Sequence, residues 1–378
     1  MRQALLLSVS LLLFAISSTR LSAQVIASPE LQAVASAEIT LYAGPGETYR
    51  ELGRLEPEQE VMVTERNRVG TWVRVRGSAS DSAGEVDGWV LTGLLTLHPT
   101  LRLSQMPVNS ELGDADLENI DDPELRRLYA VPVISRVSAQ MQLVYQRGRL
   151  LGNDSRVVTK VGDSLTADPL YLTVLGREDN ELGPFDFLVE TMVFFGPQTG
   201  VESVAARVGM STRVVFDPMW TRNALCEPNE TPLACEYRLR RPSVALIMFG
   251  PNDVLHMDVD AFGSGLREII EESIQLGVIP VLSTFSSHPE SQVWEKTLAF
   301  NLTIVDVAEA YGVPLINLWS AARSLPNYGL EGDHVHMRHS GYRYLKFDIG
   351  NQARYGVSLR NFLSLRMLDE IRRTLGMS

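Results

Sequence analysis

The chain has 378 residues, longer than one ordinary domain, and its 45% hydrophobic and 21% charged content is that of a globular protein with a substantial core. Its net charge of −12, with no block of Lys or Arg able to neutralise phosphates, argues against a nucleic-acid partner.

The chain opens with MRQALLLSVSLLLFAISSTRLSAQ: Arg2, an apolar run from Ala4 to Ile16, then small polar residues. This is the plan of a signal peptide spanning residues 1–23 with cleavage after Ala23, and it predicts a secreted or extracytoplasmic protein. The run is shorter than the ~20 apolar residues that a bilayer span needs, and no later segment reaches that length.

Residues 36–98 alternate short apolar runs with Gly-, Pro- and Glu-rich turns. Predicted strands are Ile39–Tyr42, Val61–Glu65, Thr71–Arg76 and Gly88–Leu91, spaced as in a small β-barrel. The succession LYAGPGETY, TWVRVR and DGWV resembles the bacterial SH3 domain, with Trp72 and Trp89 at its recurring tryptophan positions. That resemblance implies a module that binds a cell-wall peptide or polysaccharide. The plainer reading of the tryptophans is barrel core.

Residues 99–130 are acidic and irregular and read as a linker, its end DPELRRLYA a short helix. SAQMQLVYQRGRLLGN has helical spacing and a Gly-Asn stop, so a second domain is expected over residues 131–378. From Arg156 on, strand and helix signals alternate. Strands are predicted at Arg156–Val161, Val201–Val208, Ser243–Phe249, Val278–Phe285 and Val313–Leu318, with helices near Ala261–Leu276 and Gln292–Tyr311. This predicts an α/β fold, a three-layer parallel sheet flanked by helices. Between them, Cys226 and Cys235 lie in a Pro- and Asn-rich loop, and outside the cytoplasm such a pair forms a disulfide. No neighbouring His or further Cys suggests a metal there.

In parallel sheets the site lies at the carboxyl ends of strands. Three predicted strand ends carry turn-permissive polar residues: Gly162-Asp163-Ser164, Arg207-Val208-Gly209-Met210-Ser211 and Phe249-Gly250-Pro251-Asn252-Asp253. GLEGDHVHMRHSGY then supplies Asp333 and, three residues on, His336. This ordered set resembles the SGNH (GDSL) hydrolases over roughly residues 156–350. The resemblance implies Ser164 as nucleophile, Asp333 and His336 as its partners, and the Ser164 N–H, the Gly209 N–H and the Asn252 amide as oxyanion hole. Two positions depart from the family pattern: no Asn stands upstream of Gly209, and Met337 follows His336 where Pro is common.

These residue types suit ester hydrolysis. A serine hydroxyl needs a base to take its proton, and a histidine oriented by a carboxylate serves. The tetrahedral intermediate needs donors around its oxygen. The expected activity is an exported serine esterase acting on O-acyl groups of a cell-wall or extracellular polysaccharide, or on a lipid, with no cofactor and no metal. The alternatives are an acyltransferase and an inactive hydrolase-like binding protein acting through its SH3-like part. Plainer readings of single residues are Ser164 as a helix N-cap, Asn252 and Asp253 as turn formers, and Asp163 as a turn brace. His334 and His339 compete with His336 as base but lack its register to an acid, and His98, His256 and His288 read as surface or capping groups. Asn301, which also matches a family pattern, reads otherwise as a hydrogen-bonding residue at the edge of the core.

Overall fold

The computed structural model describes residues 32–378 apart from 46–48, 68–69, 71, 79–84, 99, 102, 104–105, 110–121, 174, 176–179, 342–344 and 349. Residues 1–23, expected to be a signal peptide, and half of the expected linker over 99–130 lie outside the described residues. Among those described, no helix is long and apolar enough to cross a membrane.

The N-terminal part is β-rich. Strands β1 (Gln32–Ala35), β2 (Ile39–Tyr42), β3 (Glu51–Leu55), β4 (Glu60–Arg66), β5 (Trp72–Ser78), β6 (Glu85–Leu91) and β7 (Leu95–Leu97) form one antiparallel sheet in the order β3-β2-β6-β5-β4-β1-β7. Among the described residues no pairing joins β3 to β7, so the expected small barrel is an open sheet here. Its long strands alternate as a half-buried sheet requires: Val61 and Val63 on β4, and Val73 and Val75 on β5, are buried. Trp72 and Trp89 are each about 1% exposed and cluster with Leu91 and with Ala353 from near the C-terminus. Both tryptophans are therefore core, packed where this sheet meets the rest of the molecule.

Helix α1 (Pro123–Ala130) forms as its sequence predicts. The Asp122 carboxylate accepts the Glu124 and Leu125 N–H groups at 2.8 and 3.2 Å, and Pro123 takes the first helical position. Helix α2 (Ala139–Leu151) stops at Gly152 in the left-handed region, φ 87°.

The second sheet is parallel, ordered β11-β10-β9-β8, from β8 (Asp154–Gly162), β9 (Pro242–Met248), β10 (Ile279–Ser283) and β11 (Leu315–Ile316). All seven residues of β9 are buried, as a strand covered on both faces demands. Around the sheet lie α3 (Val189–Thr199), α4 (Pro232–Arg240), α5 (Asp253–His256), α6 (Val259–Gln275), α7 (Trp294–Tyr311), α8 (Leu318–Ala322) and α9 (Gly356–Leu375). Helix α6 shows why such segments are helical. Phe262, Leu266, Ile269, Ile270 and Ser273 recur on one buried face, and Asp258 caps the Ala261 N–H at 2.8 Å. Asn301 on α7 is fully buried and pairs both ways with the Phe285 backbone, at 2.9 and 3.1 Å, which is its core-edge role. Cys226 and Cys235 are disulfide-bonded, their Cα atoms 5.4 Å apart, tying the loop before α4 to that helix.

One predicted strand is absent among the described residues. Val201–Val208 makes a single parallel bridge, Gly162 to Ala206, flanked by Gly162 N–H to Ala205 O and Arg207 N–H to Gly162 O, each 3.0 Å. The cause is local: the Val204 N–H goes to the buried Glu236 carboxylate at 2.8 Å instead of a ladder, and Val201 and Val208 face solvent.

Candidate active site

Strand β8 ends at Gly162, where a Cβ would fall 2.3 Å from the Met248 carbonyl and from Thr166 Oγ1, so only glycine fits. The next residue builds the turn. Asp163 is fully buried; its Oδ1 accepts the Leu165 N–H at 3.0 Å, and its carbonyl accepts the Thr166 and Ala167 N–H groups at 3.1 and 2.9 Å. Ser164 thus sits half-buried at the apex of a turn and caps no helix; the bracing is done by Asp163, as its plainer reading held. Burial pushes the Asp163 carboxyl up to about 7, opposed by the Leu165 N–H bond and by the charges of Arg360 and His336.

The second and third loops are stitched together. Gly209 adopts φ +79°, and Gly250 adopts φ +132° with Phe285 so close that a Cβ would meet its ring at 2.1 Å. Asp253 Oδ1 accepts both the N–H and the hydroxyl of Thr212, at 2.8 and 2.6 Å, while Oδ2 accepts the Gly250 N–H at 3.2 Å. Burial raises the Asp253 carboxyl, and these donors oppose the rise. Asn252 Nδ2 donates to the Met210 carbonyl at 3.1 Å, leaving its second amide hydrogen for another acceptor. Asp253 is therefore more than a turn former, a role its spacing does not advertise. The Gly209 and Ser164 N–H groups make no hydrogen bond among the described residues. Gly209 and Asn252 open onto a cavity of about 600 Å³ whose walls include Arg213, Phe216, His256 and Glu268. His256, read as a surface group, lines this cavity.

The fourth loop is held by its own aspartate. Asp333 Oδ1 accepts the Val335 and His336 N–H groups at 3.0 and 2.9 Å, and Oδ2 meets His336 Nδ1 at 2.5 Å. Partial burial alone would raise the Asp333 carboxyl, but the His336 ring and the two N–H donors outweigh it and hold it at about 2. Nδ1 is thereby committed to the carboxylate and Nε2 remains for a reacting proton. His339 Nδ1 accepts the Gly341 N–H at 3.1 Å, and His98 Nδ1 lies 2.8 Å from the Thr100 hydroxyl. His288 accepts the Glu290 N–H at 3.1 Å, a capping role, but its ring also stacks on His334, centroids 3.9 Å apart and planes 11° apart. Nitrogen and oxygen atoms of His288, Glu290 and His334 lie within 4.8 Å of one another, yet nearly parallel rings share no in-plane point for one ion.

The loops are tied in pairs: Gly162 bonds the Ala205 and Arg207 backbone at 3.0 Å, Asp253 and Asn252 bond Thr212 and Met210, and Leu165 and Met337, the residues after Ser164 and His336, line one small cavity of about 10 Å³ together with Arg360.

Residues 161–344 match the model of the GDSL-like lipase/acylhydrolase family, and this segment contains Ser164, Gly209, Asn252, Asp333 and His336. The matched residues make up just under half of the chain, and the protein is accordingly a serine ester hydrolase. Among solved structures, a variant of an acetyl xylan esterase from Geobacillus stearothermophilus is 16% identical with a TM-score of 0.38, over 57% of this chain and 95% of that one. A lipase/acylhydrolase from Enterococcus faecalis is 22% identical with a TM-score of 0.34, over 52% and 93%. A GDSL-like lipase from Bacteroides thetaiotaomicron is 13% identical with a TM-score of 0.36, over 62% and 98%. No curated protein matches the chain.

Proposed function

We propose that the protein is an exported esterase that removes O-acyl groups from a cell-wall or extracellular polysaccharide through an acyl-enzyme on Ser164. The observation that supports this reading is the cavity shared by Leu165 and Met337, next to Ser164 and His336, with Asp333 bonded to the His336 ring. In this mechanism His336 Nε2 takes the Ser164 proton as Oγ bonds to the ester carbon. The oxyanion is held by the N–H groups of Ser164 and Gly209 and the free Asn252 amide hydrogen. His336 then gives its proton to the leaving alkoxide, and a water, deprotonated by the same ring, releases the acid and Ser164. Asp333, ionised at neutral pH, keeps the ring in the tautomer this sequence needs.

Export rests on the leader-like first 23 residues. The polysaccharide substrate rests on the SH3-like pattern of residues 36–98, which we take as a spacing and targeting module joined by residues 99–130 to a hydrolase domain over 131–378. Because Trp72 and Trp89 are core, any ligand of that module would have to use other residues.

The test is a series of nitrophenyl esters of increasing chain length, with Ser164→Ala alongside. The acylated-polysaccharide reading expects a preference for acetate, and long-chain preference would replace the polysaccharide with a lipid. Ser164→Ala is expected to lower turnover ~10³-fold or more. Turnover near the wild-type rate in that variant would remove Ser164 as nucleophile.

A further inference from the structure

The helix α9 lies beyond the family-matched residues, yet its first turn touches both halves of the site. Arg360 is 4% exposed and stands 195 residues from the turn it grips. Its Nη1 donates to the Leu165 carbonyl at 2.6 Å and its Nη2 to the Thr166 hydroxyl at 3.0 Å, the two residues that follow Ser164. The guanidinium lies 3.7 Å from the centroid of the Tyr171 ring, and that phenol meets Ser364 Oγ at 2.9 Å. One residue on, Asn361 accepts the Leu172 N–H at 2.8 Å and donates to the Leu170 carbonyl at 2.9 Å.

The same helix start holds the histidine loop. The Asp333–His336 segment is closed at its base by a bridge between Leu330 and Met337, and Arg338 N–H donates to Gly329 O at 2.9 Å. Val357 N–H donates to the Arg338 carbonyl at 3.0 Å, and Gly356 presses so closely on Gly329 that a Cβ there would meet its carbonyl at 2.0 Å. Gly356 and Arg360 are about 6 Å apart along the axis, one rigid turn.

We infer that Arg360 is a positioning residue: it fixes the Ser164 turn to the first turn of α9, and α9 thereby sets the distance between the serine hydroxyl and the His336 ring. Its fork reaches two acceptors at once, which a lysine ammonium on a flexible stem does not reproduce. Burying an uncompensated guanidinium is costly, so its place in the core needs these acceptors and the Tyr171 face. The inference rests on Ser164 being the nucleophile.

The experiment compares wild type, Arg360→Lys and Leu375→Ala, the last a core truncation at the far end of α9, with Ser164→Ala as reference. Turnover of p-nitrophenyl acetate and the rate at which a fluorophosphonate labels Ser164 are measured together with melting temperature. Displacing a reacting group by ~1 Å costs on the order of 10² in rate. Arg360→Lys is therefore expected to lower kcat and the labelling rate together by ~10–100-fold, with KM changed less than about threefold. Leu375→Ala is expected to lower the melting temperature while leaving both rates unchanged. Where replacing the arginine unfolds the chain, Thr166→Ala removes one of its acceptors and is expected to give the same split at about three- to tenfold. Wild-type rates in Arg360→Lys, or in a folded Thr166→Ala where the arginine variant does not fold, overturn the inference. So does an equal loss of kcat in Leu375→Ala. Wild-type protein that takes no label at Ser164 removes the nucleophile assignment and the role of Arg360 with it, a result distinct from labelled wild type matched by Arg360→Lys.

Discussion

Two aspartates of the site answer to opposite environments. Asp163 is fully buried, bonds the turn it belongs to, and has its carboxyl pushed up to about 7. Asp333 is about half exposed, faces the His336 ring and two N–H donors, and is held at about 2. Burial alone penalises charge, whereas a hydrogen-bonded ring nitrogen and aligned backbone donors reward it. The pair separates a brace from an electrostatic partner by environment, although Asp163 adjoins the proposed nucleophile and Asp333 lies three residues before the proposed base. It also shows the two sides of the site to be built differently. The serine side is locked into the core, and the histidine side is an exposed loop held by its own aspartate and by α9.

The strongest break of this comparison is Asp333→Asn. The amide keeps an oxygen for the Val335 and His336 N–H groups but turns an NH₂ toward Nδ1, which then has to accept and leaves Nε2 protonated. A loss of ~10³-fold in kcat with little change in KM is expected in steady-state kinetics. A loss under about tenfold would mean that the histidine is oriented by something else. The pairing itself should be acid-tolerant. The Asp333 carboxyl is depressed, so what it adds to folding is present above its unfolded value of ~3.9 and is lost only as pH falls through about 2.

Asp163→Asn sharpens the other side. A carboxyl raised to about 7 binds its proton more tightly in the folded chain than in the unfolded one. Its effect on stability is therefore neutral below about pH 4, and wild type loses stability as pH climbs from there to about 7. Asparagine keeps the acceptor for Leu165 N–H without that cost. The variant should gain on wild type by on the order of 3 kcal/mol between pH 4 and 7 in urea titrations, while kcat stays within about threefold. A stability difference that does not change with pH would contradict a buried, proton-holding brace.

The candidate site residues were legible because they sit at strand ends and in one short loop: Ser164 after β8, Asn252 after β9, Asp333 and His336 three apart. Strand β9 was equally readable, an unbroken apolar run of the kind only a doubly covered strand carries. What the sequence hid were side chains acting on distant backbone. Glu236 takes the Val204 N–H and so breaks a strand that local pattern predicts. Asp253 joins two loops that are 41 residues apart. Arg360 reads as one more basic residue of a helix until its acceptors are seen. The short strands β1, β3 and β7 escaped for a different reason. They run four, five and three residues, and Glu51–Leu55 carries too many polar side chains to alternate. Trp72 and Trp89 stand out in the sequence, but whether they face a ligand or the core is a packing fact.

The smallest effect expected is at the stacked histidines, and it measures how firmly the exposed side is held. His334 lies two residues from His336 in a left-handed conformation, φ +60°, and its only ring partner among the described residues is His288 at the end of the β10 loop. Aromatic pairs of this kind contribute roughly 0.5–1.5 kcal/mol. If that energy orders the loop for catalysis, His288→Ala should lower kcat by about two- to tenfold with the melting temperature almost unchanged. If α9 alone fixes the loop, kcat in His288→Ala will equal that of wild type, and the stack is packing without a catalytic consequence. Kinetics of the single variant decide between these, because neither His288 nor His334 is called on for proton transfer in the mechanism.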